Sequence, residues 1–449
     1  MASITGPALQ RPVSRPVPML RAIGFPVLLA AFLGYVMLLP PQFNLNIGTT
    51  TVPPFRLILI PALAFIVLSY ARGHVRFRLA DAFALLLGFW VTLAMFMTTE
   101  AIEAFTAAVA QTSDMVIAYF FGRATIRSPR DFRVFLLLVA PALFAAGALV
   151  AIESITHRPI VQPIAAALLG GDYVLARPDF RLGLLRARGS FPHPILAGVF
   201  LASFLPLYLL SGLRGWPRLI GSLGAVFAFF TVSSAALLGL TTGLILTGYN
   251  WLSERISNLS WRMFFAVSAI FVFVAEASGA GTYRLLIRYG SLNSSSAYNR
   301  IRIWNYGTRN VEANPWFGIG YADWDRPDWL GDSVDNFWLL TAMRFGLIPP
   351  TLTLLMTLLA ALAMIRIAGT AGTVDRRTLT GVVIALSVFA FGATSVALWG
   401  SALVWFFMMI GLGVSLGAQP QQRLLRAPQH QSARRTAKPP KLVSPGRQV

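Results

Sequence analysis

Two stretches of the chain carry residues whose types and spacing could do chemistry. In "RARGSFPHP", Arg186, Arg188 and His193 stand beside Gly189, Pro192 and Pro194, directly before an apolar run that begins at Ile195. In the second, 294–350, Arg300, Arg302 and Arg309 precede "NPWFGIGYADWDRPDW" and a carboxylate–amide pair, Asp335 and Asn336. Guanidinium groups are planar, permanently charged and suited to bidentate capture of phosphate oxygens, so arginines gathered at one surface predict an anion site. Snorkelling to lipid headgroups would explain Arg186 and Arg188 equally simply. Asp335 could accept a proton or orient a hydroxyl. It also stands where a helix N-cap is expected, and there the helix dipole would weaken it as a base. His193 reads as an interfacial polar residue or as an alternative base. Asp323 and Asp325 have an Asp-x-Asp spacing that chelates divalent cations in some enzymes, but with no supporting histidine or strand no metal site is predicted.

The elements that must position these groups follow from the flanking residues. Gly189 and the two prolines predict a tight, non-helical approach to a helix opening near Ile195, because proline lacks the N–H that a helix interior needs but fits a first turn. Serines 294–296 predict the cap of a short helix ending before Pro315. On that helix Arg300, Trp304 and Gly307 share one stripe, while Arg302 and Arg309 lie about 200° away, so the arginines cannot all face one site. "NPWFGIGYADW" predicts a turn region whose glycines let backbone approach something closely. Its aromatics suit a sugar-binding surface and an interfacial aromatic belt alike.

The frame around these stretches is a membrane. Of 449 residues, 56% are hydrophobic and 12% charged, against roughly 25% charged in soluble domains. The class predicted is all-α, with twelve spans near 22–40, 54–70, 79–98, 104–121, 133–151, 195–212, 217–233, 235–251, 263–280, 336–366, 380–397 and 399–417. A basic leader without a small-residue cleavage motif predicts that the first span is kept. The 31-residue run at 336–366 is too long for one crossing and is predicted to break at Gly346, Pro349 and Pro350. No cysteine is present, which removes disulfides, thiol nucleophiles and cysteine metal sites.

The net charge of +20 follows membrane sidedness rather than nucleic-acid binding. With the N-terminus in the cytoplasm, the inward tails and short loops hold 24 of the 37 Lys and Arg residues, as the positive-inside rule requires. Both termini are then cytoplasmic, with a basic tail at 1–21, a membrane domain at 22–418 and a basic, disordered tail at 419–449. Two long outer loops, about 152–194 and 281–335, break the pattern with eleven arginines: 158, 177, 181, 186, 188, 284, 288, 300, 302, 309 and 326. They are either solvated loop charges or an anion site.

Taken in order and sidedness, "RGSFPHP" opening a mid-chain helix, Arg300-x-x-x-Trp304, "NPWFGIGYADW" and "DNFWLL…FGLIP" resemble the O-antigen ligase and polymerase superfamily (Wzy-type). The resemblance implies a GT-C-like bacterial inner-membrane glycosyltransferase with two long periplasmic loops. Such an enzyme takes a glycan from an undecaprenyl-diphosphate carrier and passes it to a sugar hydroxyl, without cofactor, metal or nucleotide sugar. It implies that Arg188 and Arg300 engage the diphosphate, with Arg186, Arg302, His193, Trp304 and Asn336 contributing to substrate binding. Asp335 stands where many ligases carry a functional histidine followed by Asn, which favours a repeat-unit polymerase of exopolysaccharide, capsule or O-antigen over ligation to lipid A-core. Partners implied are the lipid-linked oligosaccharide, the glycan acceptor and other polysaccharide-assembly proteins. A flippase or exporter of lipid-linked glycans is the alternative from another class; it would need charges along the spans, where Asp81, Asp114, Glu276 and Arg344 are few.

Overall fold

The structure, a computed structural model, describes residues 23–48, 50–170, 178–279, 281–290 and 294–418; the two expected tails, 1–21 and 419–449, lie outside them. The chain is mostly helical. Helices α1 (Phe25–Val36), α2 (Pro54–Leu59), α3 (Ala62–Ala71), α4 (Leu79–Thr98) and α5 (Ala101–Thr112) come first. A π-helical turn at Ser113–Ile117 joins α5 to α6 (Ala118–Thr125), and α7 (Pro129–Thr156), α8 (Val161–Leu169), α9 (Pro194–Leu210), α10 (Trp216–Val226) and α11 (Ser234–Ser253) follow. The C-terminal part comprises α12 (Trp261–Ala277), α13 (Thr282–Gly290), α14 (Ser294–Ala313), α15 (Phe337–Phe345), α16 (Ile348–Ala368), α17 (Thr373–Gly392) and α18 (Ser401–Leu416).

The mostly helical chain agrees with the all-α expectation, with two short antiparallel hairpins besides: β1 (Leu45–Ile47) with β2 (Thr50–Val52), and β3 (Phe180–Arg181) with β4 (Leu184–Leu185). The expected number of spans is not shown. Among the described residues six stretches are long and apolar enough to cross a membrane: Pro54–Ala71, Leu79–Thr98, Ala101–Thr125, Pro129–Thr156, Ser234–Ser253 and Ile348–Ala368. Three further apolar helices, α1, α9 and α18, are shorter. Apolar runs outlast their helices: the described part of the run at 22–40, from 23 on, is α-helical only over Phe25–Val36, and the run at 217–233 leaves α10 at Val226 for a 3-10 turn.

The core runs along α9 and α18. Every residue of α18 from Ala402 to Leu416 is buried, as are nearly all of α9, which is why both are apolar all round instead of striped. Trp405 stacks on Phe204 with ring centroids 4.7 Å apart and donates its indole N–H to Ser203 Oγ at 3.1 Å. The carboxylates sunk in the bundle are paired: Asp81 with Arg123 at 2.8 Å, and Asp114 with Arg56 through two bonds of 2.8 Å. Helix ends and loops close over one end of the bundle. There the Phe337 N–H is shared by the carbonyls of Ala393 and Val396, both at 2.9 Å, and Trp90 Nε1 donates to the Trp316 carbonyl at 3.0 Å.

Candidate functional site

The first arginine stretch is held from below by α7 and α8. Glu153, 1% exposed, lies in the last turn of α7. Its Oε1 accepts from the N–H groups of Ile160 and Val161 and its Oε2 from that of Gly189, all at 2.9 Å. Ser154 Oγ donates to the Leu185 carbonyl at 2.8 Å, and Gln162 Nε2 to the Phe191 carbonyl at 2.6 Å. Gly189 has φ +53°, and a β-carbon there would come within 2.7 Å of Val150, so only glycine gives this turn without strain. Upstream, the β3–β4 hairpin turns through Leu182 and Gly183, both with positive φ. It brings Asp179 to Arg186 at 3.1 Å and to Arg181 at 3.4 Å. Arg186 Nε is buried and has no hydrogen-bond partner among the described residues.

His193 is the N-cap of α9: its Nδ1 accepts the Ile195 N–H at 3.2 Å. Accepting that bond requires a lone pair on Nδ1, so the neutral ring carries its proton on Nε2 and presents a donor. Burial, then Arg186, then Arg188, push its pKa down to about 4, against an opposing pull from Asp335. At neutral pH the ring is uncharged and has no free basic nitrogen.

The second stretch arrives on α14. Arg300 is 5% exposed. Trp304 stacks on Tyr283 of α13 at 4.3 Å, and Gly307 packs against Leu339 and Met343 of α15. Arg302 turns the other way, its guanidinium 3.9 Å from the Tyr298 ring and 4.6 Å from that of Trp329, while Arg309 lies over Tyr306. Arg302 is therefore not brought to Arg300.

The expectation that Asp335 caps the following helix is corrected: Asn336 is the N-cap of α15, its Oδ1 accepting the Leu339 N–H at 3.0 Å. Asp335 is released from capping and touches Ser333 Oγ at 3.4 Å. Burial raises the pKa of the Tyr283 phenol, and Asn336 pulls it back down. The helix stops at Phe345, where Gly346, at φ +82°, leaves no room for a β-carbon beneath the Trp316 carbonyl. What the "NPWFGIG" backbone approaches is this helix end: Ile319 and Gly320 N–H donate to the carbonyls of Met343 and Arg344 at 2.8 and 3.0 Å. Asp323 pairs with Arg326, and Asp325 is tied by its backbone to Asn310. Among the described residues no group of three or more histidine, cysteine or acidic side chains gathers.

The two stretches meet around Asp335. His193 and Arg186 from the first, and Arg300 and Tyr283 from the second, all feel its charge. Burial lowers the pKa of Arg300, with Asp335 and Tyr283 opposing and Arg181 adding to the fall. Arg186 is lowered by burial and then by Arg181. Among the described residues, four guanidiniums, 181, 186, 188 and 300, thus gather with two carboxylates, Asp179 and Asp335, in a partly buried site. Such a site gains from an incoming anion, since each lowered arginine recovers the attraction that burial has cost it.

Residues 219–349 match the family model described as O-antigen ligase (Wzy_C). This matched segment, less than a third of the chain, is similar to O-antigen ligases. It contains Arg300, Asp335, Asn336 and the turn that stops α15, whereas Arg186, Arg188 and His193 come from outside it and are delivered by α7 to α9. No curated protein matches the chain. Glu153, Ser154, Gln162 and Tyr283 were not singled out from the sequence. The one available signal was a carboxylate, Glu153, at the end of an apolar run in a chain with only 17 acidic residues.

Proposed function

We propose that this membrane protein is a glycosyltransferase that moves a glycan from a lipid-linked diphosphate to a sugar hydroxyl at the periplasmic face of the bacterial inner membrane. The observation that carries the reading is that Arg186 and Arg300, drawn from two separate loops, both feel the charge of Asp335, and that Arg188 and Asp335 both act on His193; the match of residues 219–349 to the O-antigen ligase family model supports it. In the reaction the acceptor oxygen bonds to the anomeric carbon as the bond from that carbon to the diphosphate oxygen breaks. The electron pair leaves with the diphosphate, whose charge Arg188 and Arg300, assisted by Arg186, stabilise as it develops. The acceptor hydroxyl proton passes to Asp335, which is free of the helix cap. His193 donates through Nε2 and orients oxygen instead of taking a proton. One displacement at the anomeric carbon gives inversion.

Asp335 followed by Asn336, in place of a histidine before asparagine, supports repeat-unit polymerisation over ligation to lipid A-core. Purified protein given a lipid-diphosphate repeat unit should build a ladder of chain lengths with inverted linkages, and Asp335→Asn should lose it. Retained configuration, a trapped glycosyl-enzyme, or transfer only to lipid A-core would each overturn the corresponding part of the proposal.

A further inference from the structure

Two of the chain's cations belong neither to the inward loops nor to the outer-loop arginines: Arg56 and Arg344. Both line one cavity of about 620 Å³, the size of a small-ligand site. Its wall includes Pro192 and Val334, the immediate neighbours of His193 and Asp335. On the same wall Arg56 is held by Asp114 through its two 2.8 Å bonds. Arg344 has no carboxylate: its guanidinium lies 4.7 Å from the Tyr321 ring centroid and makes no salt bridge or hydrogen bond among the described residues. Tyr321 is itself fixed by a 2.7 Å hydrogen bond from Gln111 Nε2. Trp399, 48% exposed, stands on the cavity wall.

The geometry points to a carboxylate-bearing sugar as the occupant of this cavity: an acidic residue of the acceptor glycan, its carboxylate on Arg344 and its ring against Trp399. The inference rests on the transferase reading and names the acceptor's chemistry. Charge decides between the anions on offer. Arg56 is taken by Asp114, while Arg344 and Asp332 on the same wall form no salt bridge with each other, so one guanidinium stays open to a carboxylate and Asp332 opposes any second negative charge. One carboxylate suits that single guanidinium; a diphosphate does not. A planar guanidinium takes a carboxylate through two parallel bonds, and an aromatic face suits the C–H face of a sugar. Seated so, the sugar shares a cavity whose wall includes the neighbours of His193 and Asp335.

The probes are methyl β-D-glucuronide, methyl β-D-glucoside and inorganic phosphate, titrated separately against the full-length protein in nanodiscs without turnover. The glucuronide should bind at least about tenfold more tightly than the glucoside, and phosphate should not displace it preferentially. Arg344→Gln should bring the glucuronide down to the glucoside's level while leaving lipid-diphosphate binding unchanged, and Trp399→Ala should weaken both sugars alike. Equal binding of the two sugars by the unaltered protein, preferential displacement by phosphate, or full glucuronide binding by a folded Arg344→Gln protein would overturn the inference. Because no turnover is involved, its failure is separable from loss of the transferase reading, which the loop arginines test.

Discussion

Replacing Glu153 with glutamine tests how the first arginine stretch is aimed. The carboxylate holds three backbone N–H groups, two on Oε1 from Ile160 and Val161 and one on Oε2 from Gly189. Glutamine keeps a single acceptor. If that oxygen stays with Ile160 and Val161, the amide NH₂ faces the Gly189 N–H, donor against donor. A hydrogen bond to a charged group contributes about 1.5–3 kcal/mol, and a buried donor left unmade costs in the same range. The loss falls on the turn that carries Arg188, one residue from the broken bond. We expect Glu153→Gln to lower transfer by roughly 10- to 100-fold, about 1.4–2.8 kcal/mol, with the larger share in KM for the lipid-diphosphate donor and little change in KM for the acceptor. Steady-state kinetics against each substrate, alongside a thermal unfolding curve, reads this directly. Wild-type transfer in a folded Glu153→Gln protein would refute the claim that this carboxylate positions Arg188, as would an equal rise in both KM values.

Three further outcomes follow from the same geometry. His193 titrates near 4 when folded against about 6.5 unfolded, so the unfolded chain binds the extra proton between these values. Stability should hold above pH 6.5 and fall by about 3 kcal/mol as pH drops to 4; denaturation across that range should show the slope, and His193→Asn, which keeps a capping oxygen, should flatten it. Arg302→Ala should leave transfer within about threefold of wild type and cost roughly 1 kcal/mol of stability from its aromatic contacts, whereas a comparable loss to that of Arg300→Ala would return Arg302 to the site. Asn336→Ala should cost about 1 kcal/mol as a lost cap, and Asn336→Ser should restore stability but not transfer, because serine lacks the amide that acts on the Tyr283 phenol; rescue of both would make Asn336 a cap alone.

How much of this was legible before the structure depended on the range of the interaction. The split between Arg300 and Arg302 needs only the helical period, and the break at Gly346 needs only a glycine ahead of two prolines. The cap of α15 was misplaced by one residue, because Asp335 and Asn336 are equally good capping types and only backbone geometry separates them. The span boundaries were hard to read for a related reason: hydrophobic runs measure composition, while helix ends depend on turns such as the one after Val226. Glu153 was illegible because its partners lie 7, 8 and 36 residues away, a closure that no local pattern encodes. The "NPWFGIG" glycines announced a close backbone approach, but not that the partner is the end of α15.

The central claim is that Arg188 and Arg300, from different loops, grip one diphosphate. Transfer by purified protein from a lipid-diphosphate repeat unit should be measured for Arg188→Ala, Arg300→Ala and the double variant. We predict a loss of at least about 100-fold for each single variant and a loss in the double well short of the product of the two, since both act on the same leaving group. Full activity in either single variant, or strictly multiplicative losses, would contradict the account.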